Sequence, residues 1–210
     1  MNALFSRLNR RSTVNKAALI IGLSYLASRL LGLLRDRLLV AHFGVGPETD
    51  AYTAAFRLPE LLFTLLVSGA FAVAFIPVFA EHLSRDDRKA AWEMSSVLLN
   101  FLLIFTAIAG VIAFIFADPL TRLLAPGFNE YQHTLTVNLT RIMLITPMLF
   151  AVSSLLGSIA QAFGRFVIFA LASVFYNLGI IFGIVFLSPT DSIYGVAWGV
   201  VIGAFLQAVL

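Results

Sequence analysis

The sequence lacks cysteine altogether and carries little charge. Asp, Glu, Lys and Arg make up 12% of the 210 residues, whereas a soluble domain has about 25%. Apolar residues make up 60%. Without cysteine the chain has no disulfide, thiol nucleophile or Cys-ligated metal site. A soluble globule of this composition would expose a largely apolar surface and aggregate. A soluble enzyme is therefore excluded, and a lipid bilayer is the natural solvent.

Long apolar runs predict an all-α integral membrane protein with six transmembrane helices. Each crossing needs about 20 residues, whereas a barrel strand would show only about ten alternating ones. We expect a basic cytoplasmic segment at 1–16 and a six-helix transmembrane unit at 17–210. The predicted spans are about 17–42, 50–80, 94–117, 134–160, 166–187 and 192–210.

The distribution of Lys and Arg predicts the orientation. Eight of them lie in the N-terminal segment and the loops after spans two and four, whereas the remaining loops contain only Arg122. By the positive-inside rule, both termini are cytoplasmic. The basic N-terminal cluster is then an orientation signal, and no nucleic-acid partner is expected.

Prolines and glycines inside the spans indicate bends and close helix contacts. Pro59, Pro77 and Pro147 each remove a backbone hydrogen bond and are expected to bend their helices. Small residues at steps of four allow two helices to approach closely. The glycines with this spacing are Gly179, Gly183, Gly195, Gly199 and Gly203.

Arginines at membrane depth are the most informative residues of the sequence. An Arg at the bilayer centre costs about 2.5 to 3.5 kcal/mol even on lenient insertion scales, so such side chains should face a protein interior or a wet cavity. For Arg37 and Arg141, snorkelling to the outer surface is an equal alternative. The five arginines at or near membrane depth are Arg29, Arg35, Arg37, Arg57 and Arg141.

Polar residues form a stripe on each of the first two spans. In span one the stripe contains Ser28, Gly32 and Arg35. In span two the polar residues recur at steps of three or four, which places them on one helical face. Two stripes on consecutive helices predict a shared cavity. The span-two residues are Asp50, Thr53, Arg57, Glu60, Thr64 and Ser68.

The charges around this cavity do not balance. Counting from the connecting loop places Asp36 and Arg57 at one level and predicts an ion pair, whereas Arg29 has no acidic partner at its level. The five arginines face only Asp36, Asp50 and Glu60. A hydrated cavity with surplus guanidinium suits phosphate or pyrophosphate, which Arg grips bidentately. The alternative is that these charges pair only with each other and hold spans one and two together.

Catalytic and metal-binding chemistry has little support. The sequence shows no nucleophile with a paired base, no metal-ligand cluster and no phosphate-cradling glycine loop. His42, His82 and His133 are far apart near predicted loops and are expected to be solvated polar residues. We therefore expect no enzyme activity, no metal and no cofactor.

Short motifs are dense between Ser28 and Pro77 and thinner beyond. The dense motifs are Ser28-Arg29-Leu30-Leu31-Gly32, Arg35-Asp36, Phe43-Gly44, Thr49-Asp50-Ala51, Phe56-Arg57-Leu58-Pro59, Gly69-Ala70-Phe71 and Phe75-Ile76-Pro77. Thinner ones follow at Ala125-Pro126-Gly127-Phe128 and Tyr176-Asn177. In this order and spacing, the motifs resemble those of a known family, the MurJ (MviN) lipid II flippases of the multidrug, oligosaccharidyl-lipid and polysaccharide exporter superfamily.

The resemblance implies one six-helix lobe of a MATE-like transporter in the bacterial cytoplasmic (inner) membrane. Such a protein moves the undecaprenyl-pyrophosphate-linked saccharide-peptide precursor of peptidoglycan to the outer leaflet by alternating access. Besides membrane lipids, the implied partners are this lipid-linked precursor and either a second six-helix lobe or another copy of the chain. The residues that match the family's charged cavity residues are Arg29, Arg35, Asp36, Asp50 and Arg57.

Two departures from the family pattern leave alternatives open. Phe63-Thr64 stands where many relatives have consecutive basic residues, and Ser68 stands near a usual acidic one. The sequence also covers only the first lobe. The alternatives are an exporter of another polyprenyl-linked saccharide or a drug, and an inactive or scaffold membrane lobe.

Overall fold

The chain folds as a set of helices. The computed structural model describes residues 2–210. Within that range it contains α-helices and two short π-helices, and no strand. Side-chain surroundings are described for all of these residues except 2–18, 20, 21, 68–74, 76, 166, 169, 190 and 191.

The helices follow one another with short connections, and three of the predicted spans, the second, fourth and fifth, comprise more than one helical element. Span two comprises two α-helices, a π-helix and a third α-helix, which continues through Pro77. In chain order the elements are α1 (Asn2–Phe43), α2 (Pro47–Ala55), α3 (Arg57–Phe63), a π-helix (Thr64–Ser68), α4 (Gly69–Ser84), α5 (Arg88–Ile115), α6 (Ala117–Leu124), α7 (Glu130–Met143), α8 (Thr146–Ala162), α9 (Phe166–Phe182), a second π-helix (Gly183–Leu187), α10 (Ser188–Asp191) and α11 (Ile193–Val209).

Among the residues whose surroundings are described, three helical stretches are long and apolar enough to cross a membrane, namely Arg88–Ile115, Glu130–Ala162 and Ala170–Leu187. A shorter apolar helix covers Ile193–Val209. Many large apolar side chains of α5, among them Val97, are exposed to the surroundings of the protein. An exposed apolar surface of this kind fits lipid, so the chain is an all-α membrane protein.

Proline accounts for two of the helix breaks. Pro59 has no N–H to donate to the Ala55 carbonyl, and the Thr140 hydroxyl donates to that oxygen instead, at 3.4 Å. The proline after Thr146 frees the Met143 carbonyl, which accepts the Thr146 hydroxyl at 2.8 Å. Threonine hydroxyls thus satisfy the oxygens that proline leaves unpaired.

The glycine-rich faces of α9 and α11 are in backbone contact, as their spacing predicts. A Cβ atom added to Gly199 would lie 2.7 Å from the Gly183 Cα atom, and one added to Gly183 would lie 2.6 Å from the Gly199 Cα atom. Gly179 and Gly203 meet in the same way. No side chain fits between the two helices at these points, so glycine sets their separation.

Candidate functional site

One face of α2 and α3 is buried and holds these helices on the rest of the bundle. Ala51, Tyr52 and Ala55 pack in one apolar core with Leu139 of α7 and Val196 of α11. Because α2 is anchored by its small and aromatic residues, its polar residues are directed to the opposite side.

The polar face of span two is exposed over its whole described length. The single-face prediction is therefore confirmed from Asp50 to Thr64, and the side chain of Ser68 lies outside the described residues. The exposed polar residues are Asp50, Thr53, Arg57, Glu60 and Thr64.

The stripe of α1 packs on α9 and does not face span two across a cavity, so that part of the prediction is wrong. Asn177 of α9 is buried and donates from Nδ2 to the Ser28 hydroxyl at 3.2 Å. Its Oδ1 atom accepts a hydrogen bond from Arg35 Nη1 at 3.4 Å. Gly32 leaves room for this amide, because a Cβ there would lie 3.8 Å from Oδ1. The small residues of the stripe thus form a helix seam.

Asp36 and Arg57, which were predicted to pair with each other, have other partners. Arg35 forms an ion pair with its neighbour Asp36, with 2.8 Å between Nη2 and Oδ1. Arg57 donates from Nη1 to the carbonyl of Leu124, the last residue of α6, at 2.6 Å. The predicted Asp36–Arg57 ion pair is therefore wrong, because the adjacent guanidinium takes the carboxylate.

The remaining predicted residues, Arg29 and Asp50, are exposed. Among the residues with described side chains, Arg29, Asp50 and Arg57 form no ion pair within 4 Å. Arg141 stands apart from this group, because its guanidinium lies 5.2 Å from the centre of the Phe114 ring. The predicted site residues of α1–α3 are Arg29, Arg35, Asp36, Asp50 and Arg57, and the surface of these helices that carries them is called the cationic face below.

The helix that contacts Arg57 is itself fixed to α7 by charged side chains. His133 is buried, contrary to the expectation of a solvated histidine, and its Nε2 lies 2.8 Å from Asp118 Oδ1. Arg122 pairs with Glu130, with 3.3 Å between Nη1 and Oε1. These contacts hold α6 in place, and α6 in turn presents its terminal carbonyl to Arg57.

The contact between Asp118 and His133 predicts a pH dependence of stability. The His133 hydrogen bond, with Arg122 nearby, lowers the pKa of Asp118. A carboxylate with a lowered folded-state pKa stabilises the protein above its unfolded value of about 3.9, and this contribution is lost as the pH falls through the folded pKa. As the pH falls below about 4, we expect the wild-type melting temperature to fall further than that of Asp118→Asn.

Thermal unfolding of the chain in nanodiscs measures this effect. Asp86→Asn is the matched control, because its carboxylate is exposed and makes only a 3.6 Å contact with Arg88. That variant should follow the wild-type curve. Parallel curves for wild type and Asp118→Asn would show that the contact contributes nothing.

Asn177→Ala is expected to loosen the seam between α1 and α9. The substitution removes the acceptor of Arg35 and the donor to Ser28, and a hydrogen bond to a charged group contributes about 1.5 to 3 kcal/mol. The apparent melting temperature should fall by roughly 5 °C. Ser173→Ala is the control, since its hydroxyl bonds only within α9, to the Ala170 carbonyl at 3.2 Å. An Asn177→Ala variant as stable as this control would contradict the assignment.

Comparison with known proteins assigns the chain to a family. Residues 39–210 match the sequence profile of the family described as "Lipid II flippase MurJ". The chain belongs to the MurJ family. The family is named for transport, which agrees with the expectation that the chain is not an enzyme.

Individual family members match over nearly the whole chain. A probable lipid II flippase MurJ of Buchnera aphidicola subsp. Acyrthosiphon pisum is 35% identical over 91% of this chain. The lipid II flippase MurJ of Burkholderia cenocepacia is 31% identical over the same share. A solved lipid II flippase MurJ, in an inward closed conformation, superposes with a TM-score of 0.74 at 28% identity over 91% of the chain. The chain spans only 38% of the length of both relatives and 40% of the solved chain.

Sequence reasoning did not predict which groups bind the two arginines, namely the Asn177 amide for Arg35 and the Leu124 carbonyl for Arg57. Asn177 lies within a long charge-free run, where a lone amide commonly forms an interhelical hydrogen bond, and this signal was available. The Leu124 contact could not be predicted from residue types, because its acceptor is a backbone carbonyl that becomes available only where α6 ends.

Proposed function

We propose that this chain is one six-helix lobe of a lipid II flippase of the bacterial cytoplasmic membrane, with both termini in the cytoplasm. The six spans are α1, the divided helices α2–α4, α5, α7–α8, α9–α10 and α11. A second six-helix lobe or another copy of the chain faces α1–α3 and encloses the substrate between the two.

A single observation supports this proposal most directly, namely an exposed cationic face on an apolar bundle. Arg29 and Arg57 are exposed and have no carboxylate partner among the described residues. Facing acyl chains they would cost about 2.5 to 3.5 kcal/mol each, so this face is turned to water or to a partner lobe. If these charges served only to hold α1 and α2 together, each arginine would be expected to pair with a carboxylate.

The chemistry of the face suits a diphosphate. Guanidinium groups bind phosphate oxygens bidentately and keep their charge at any physiological pH. Arg35 is fixed by Asn177 and Asp36, whereas Arg57 bonds a neutral carbonyl that a phosphate oxygen can replace. The diphosphate of a polyprenyl-linked saccharide is a negatively charged ligand that is attached to a membrane lipid, and it therefore complements these arginines.

Competitive photocrosslinking tests the cargo. A photoactivatable analogue of the undecaprenyl-diphosphate saccharide-peptide should label α1–α3 when the chain is reconstituted with a second lobe. The unlabelled precursor should compete at lower concentration than another polyprenyl-linked saccharide or a cationic drug.

The outcomes of this experiment separate the remaining functions. Equal competition by another polyprenyl-linked saccharide or by a drug would assign the chain to an exporter of that cargo. Absence of labelling from α1–α3 would favour an inactive or scaffold lobe.

A further inference from the structure

A cavity of about 670 Å³ lies at the far end of the bundle from the contact between Arg57 and α6. Its walls come from Tyr25 of α1, the start of α5, the second half of α8, the first half of α9 and the end of α11. Trp92, Ile159, Phe163 and Ile168 make much of the wall apolar. The volume is within the usual range of about 300 to 1,000 Å³ for ligand sites.

Arg165 is the one charged side chain among the described residues that line the cavity. It is exposed and forms no ion pair within 4 Å among the described residues. Ser154 and Gln207 add polar groups to the same lining. The cavity therefore combines an apolar wall with one unpaired positive charge.

We propose that this cavity binds one anionic phospholipid of the cytoplasmic leaflet. Arg165 binds the headgroup phosphate, and one acyl chain lies along Trp92, Ile159 and Phe163. The placement in that leaflet rests on the orientation given under the proposed function, which puts the loop between α8 and α9 in the cytoplasm.

Charge and position together select this ligand. Basic pockets between transmembrane helices on the cytoplasmic side bind anionic lipid headgroups, and each nearby Lys or Arg contributes about 1 kcal/mol. Trp92 is 51% exposed, and exposed tryptophan is typical of the headgroup level of a membrane. A free phosphate would leave the apolar wall empty, whereas a zwitterionic lipid would gain less from an unpaired guanidinium.

Crosslinking with lipid analogues tests the site. The chain is reconstituted in phosphatidylcholine nanodiscs that contain a small fraction of phosphatidylglycerol with a photoactivatable acyl chain. Label should concentrate in peptides of α8 and α9, and Arg165→Gln should reduce it about fivefold, which corresponds to one lost interaction of about 1 kcal/mol. A phosphatidylcholine analogue should label these peptides at the level of the Arg165→Gln variant.

Two variants complete the design. Arg85→Gln removes an exposed arginine that pairs with Glu81 at 2.7 Å and does not line the cavity, so its labelling should equal wild type. Ala172→Phe places a bulky side chain from α9 in the cavity and retains Arg165. This variant should therefore lose the label although the positive charge of the site is unchanged. If Ala172→Phe does not fold, the labelling of Arg165→Gln still tests the proposed site.

Equal labelling by the two lipid analogues, or undiminished labelling of Arg165→Gln, would overturn the proposal. The readout is lipid occupancy and not transport. If the chain binds phosphatidylglycerol here but, together with a second lobe, moves no lipid-linked saccharide, the proposed function alone is refuted. If it moves the saccharide but does not bind phosphatidylglycerol here, this site alone is refuted.

Discussion

Arg57→Ala should abolish translocation of the lipid-linked precursor while leaving membrane insertion intact. Truncating one partner of a charged hydrogen-bonded contact typically costs about 2 to 5 kcal/mol, so transport should fall roughly thirtyfold or more. The measurement is precursor translocation in proteoliposomes that contain this chain together with a second lobe. Arg29→Ala should behave in the same way, because it removes charge from the same face.

Two controls separate transport from folding in this experiment. Arg57 also bonds the Leu124 carbonyl, so its loss removes a contact of α6. Arg57→Gln keeps a donor for that carbonyl but no charge, and should restore stability without restoring transport. Arg85→Ala should be fully active, since Arg85 is exposed and pairs with Glu81 away from this face. Full translocation by both Arg57→Ala and Arg29→Ala would refute the assignment.

Gly199→Leu should separate α9 from α11 and destroy the folded lobe. The new Cβ would lie 2.7 Å from the Gly183 Cα atom and 3.0 Å from the Gly179 carbonyl oxygen. Backbone atoms cannot rotate aside as a side chain can, so the cost exceeds the roughly 1 to 3 kcal/mol of ordinary overpacking. We expect the apparent melting temperature to fall by more than about 10 °C, or the chain to aggregate on purification.

Gly22→Leu is the matched control for this prediction. A Cβ at Gly22 would meet no heavy atom within 4 Å, so the same substitution finds open space on α1. Its melting temperature should stay within a few degrees of wild type. If Gly199→Leu were as stable as Gly22→Leu, backbone contact between α9 and α11 would not be what holds these helices together.

Period and composition were sufficient to predict the helical class and the polar face of span two. Residues Asp50 to Thr64 recur at helical spacing, and the structure exposes that face while it buries Ala51 and Ala55 opposite. The glycine contacts were equally predictable, since small residues at steps of four have few other uses in apolar helices.

The partners of the charges were not predictable, because helical period does not say which neighbour a stripe faces. The stripe of Ser28, Gly32 and Arg35 packs on α9, which is far along the sequence. The depth estimated from the connecting loop predicted an ion pair between Asp36 and Arg57. In the structure Asp36 instead forms its ion pair with the adjacent Arg35.

Histidine burial escaped sequence reasoning for a similar reason. His133 lies in the first turn of α7, where a solvated side chain is the ordinary expectation. The short helix α6 folds back on α7 and covers it, and Asp118 supplies the partner. His133 is buried because of where α6 packs in the folded chain, and no local sequence pattern around His133 indicates that position.

The accessibility of one engineered cysteine tests the central claim most directly. Thr53 is exposed one helical turn before Arg57, and the chain has no cysteine of its own. With a second lobe present, Thr53→Cys should react with a membrane-impermeant thiol reagent, and the lipid-linked diphosphate should slow this reaction. Val97→Cys, on the apolar surface of α5, should not react. A Thr53→Cys variant that is unreactive, or that reacts at the same rate with and without the diphosphate, would contradict a water-filled site for that ligand.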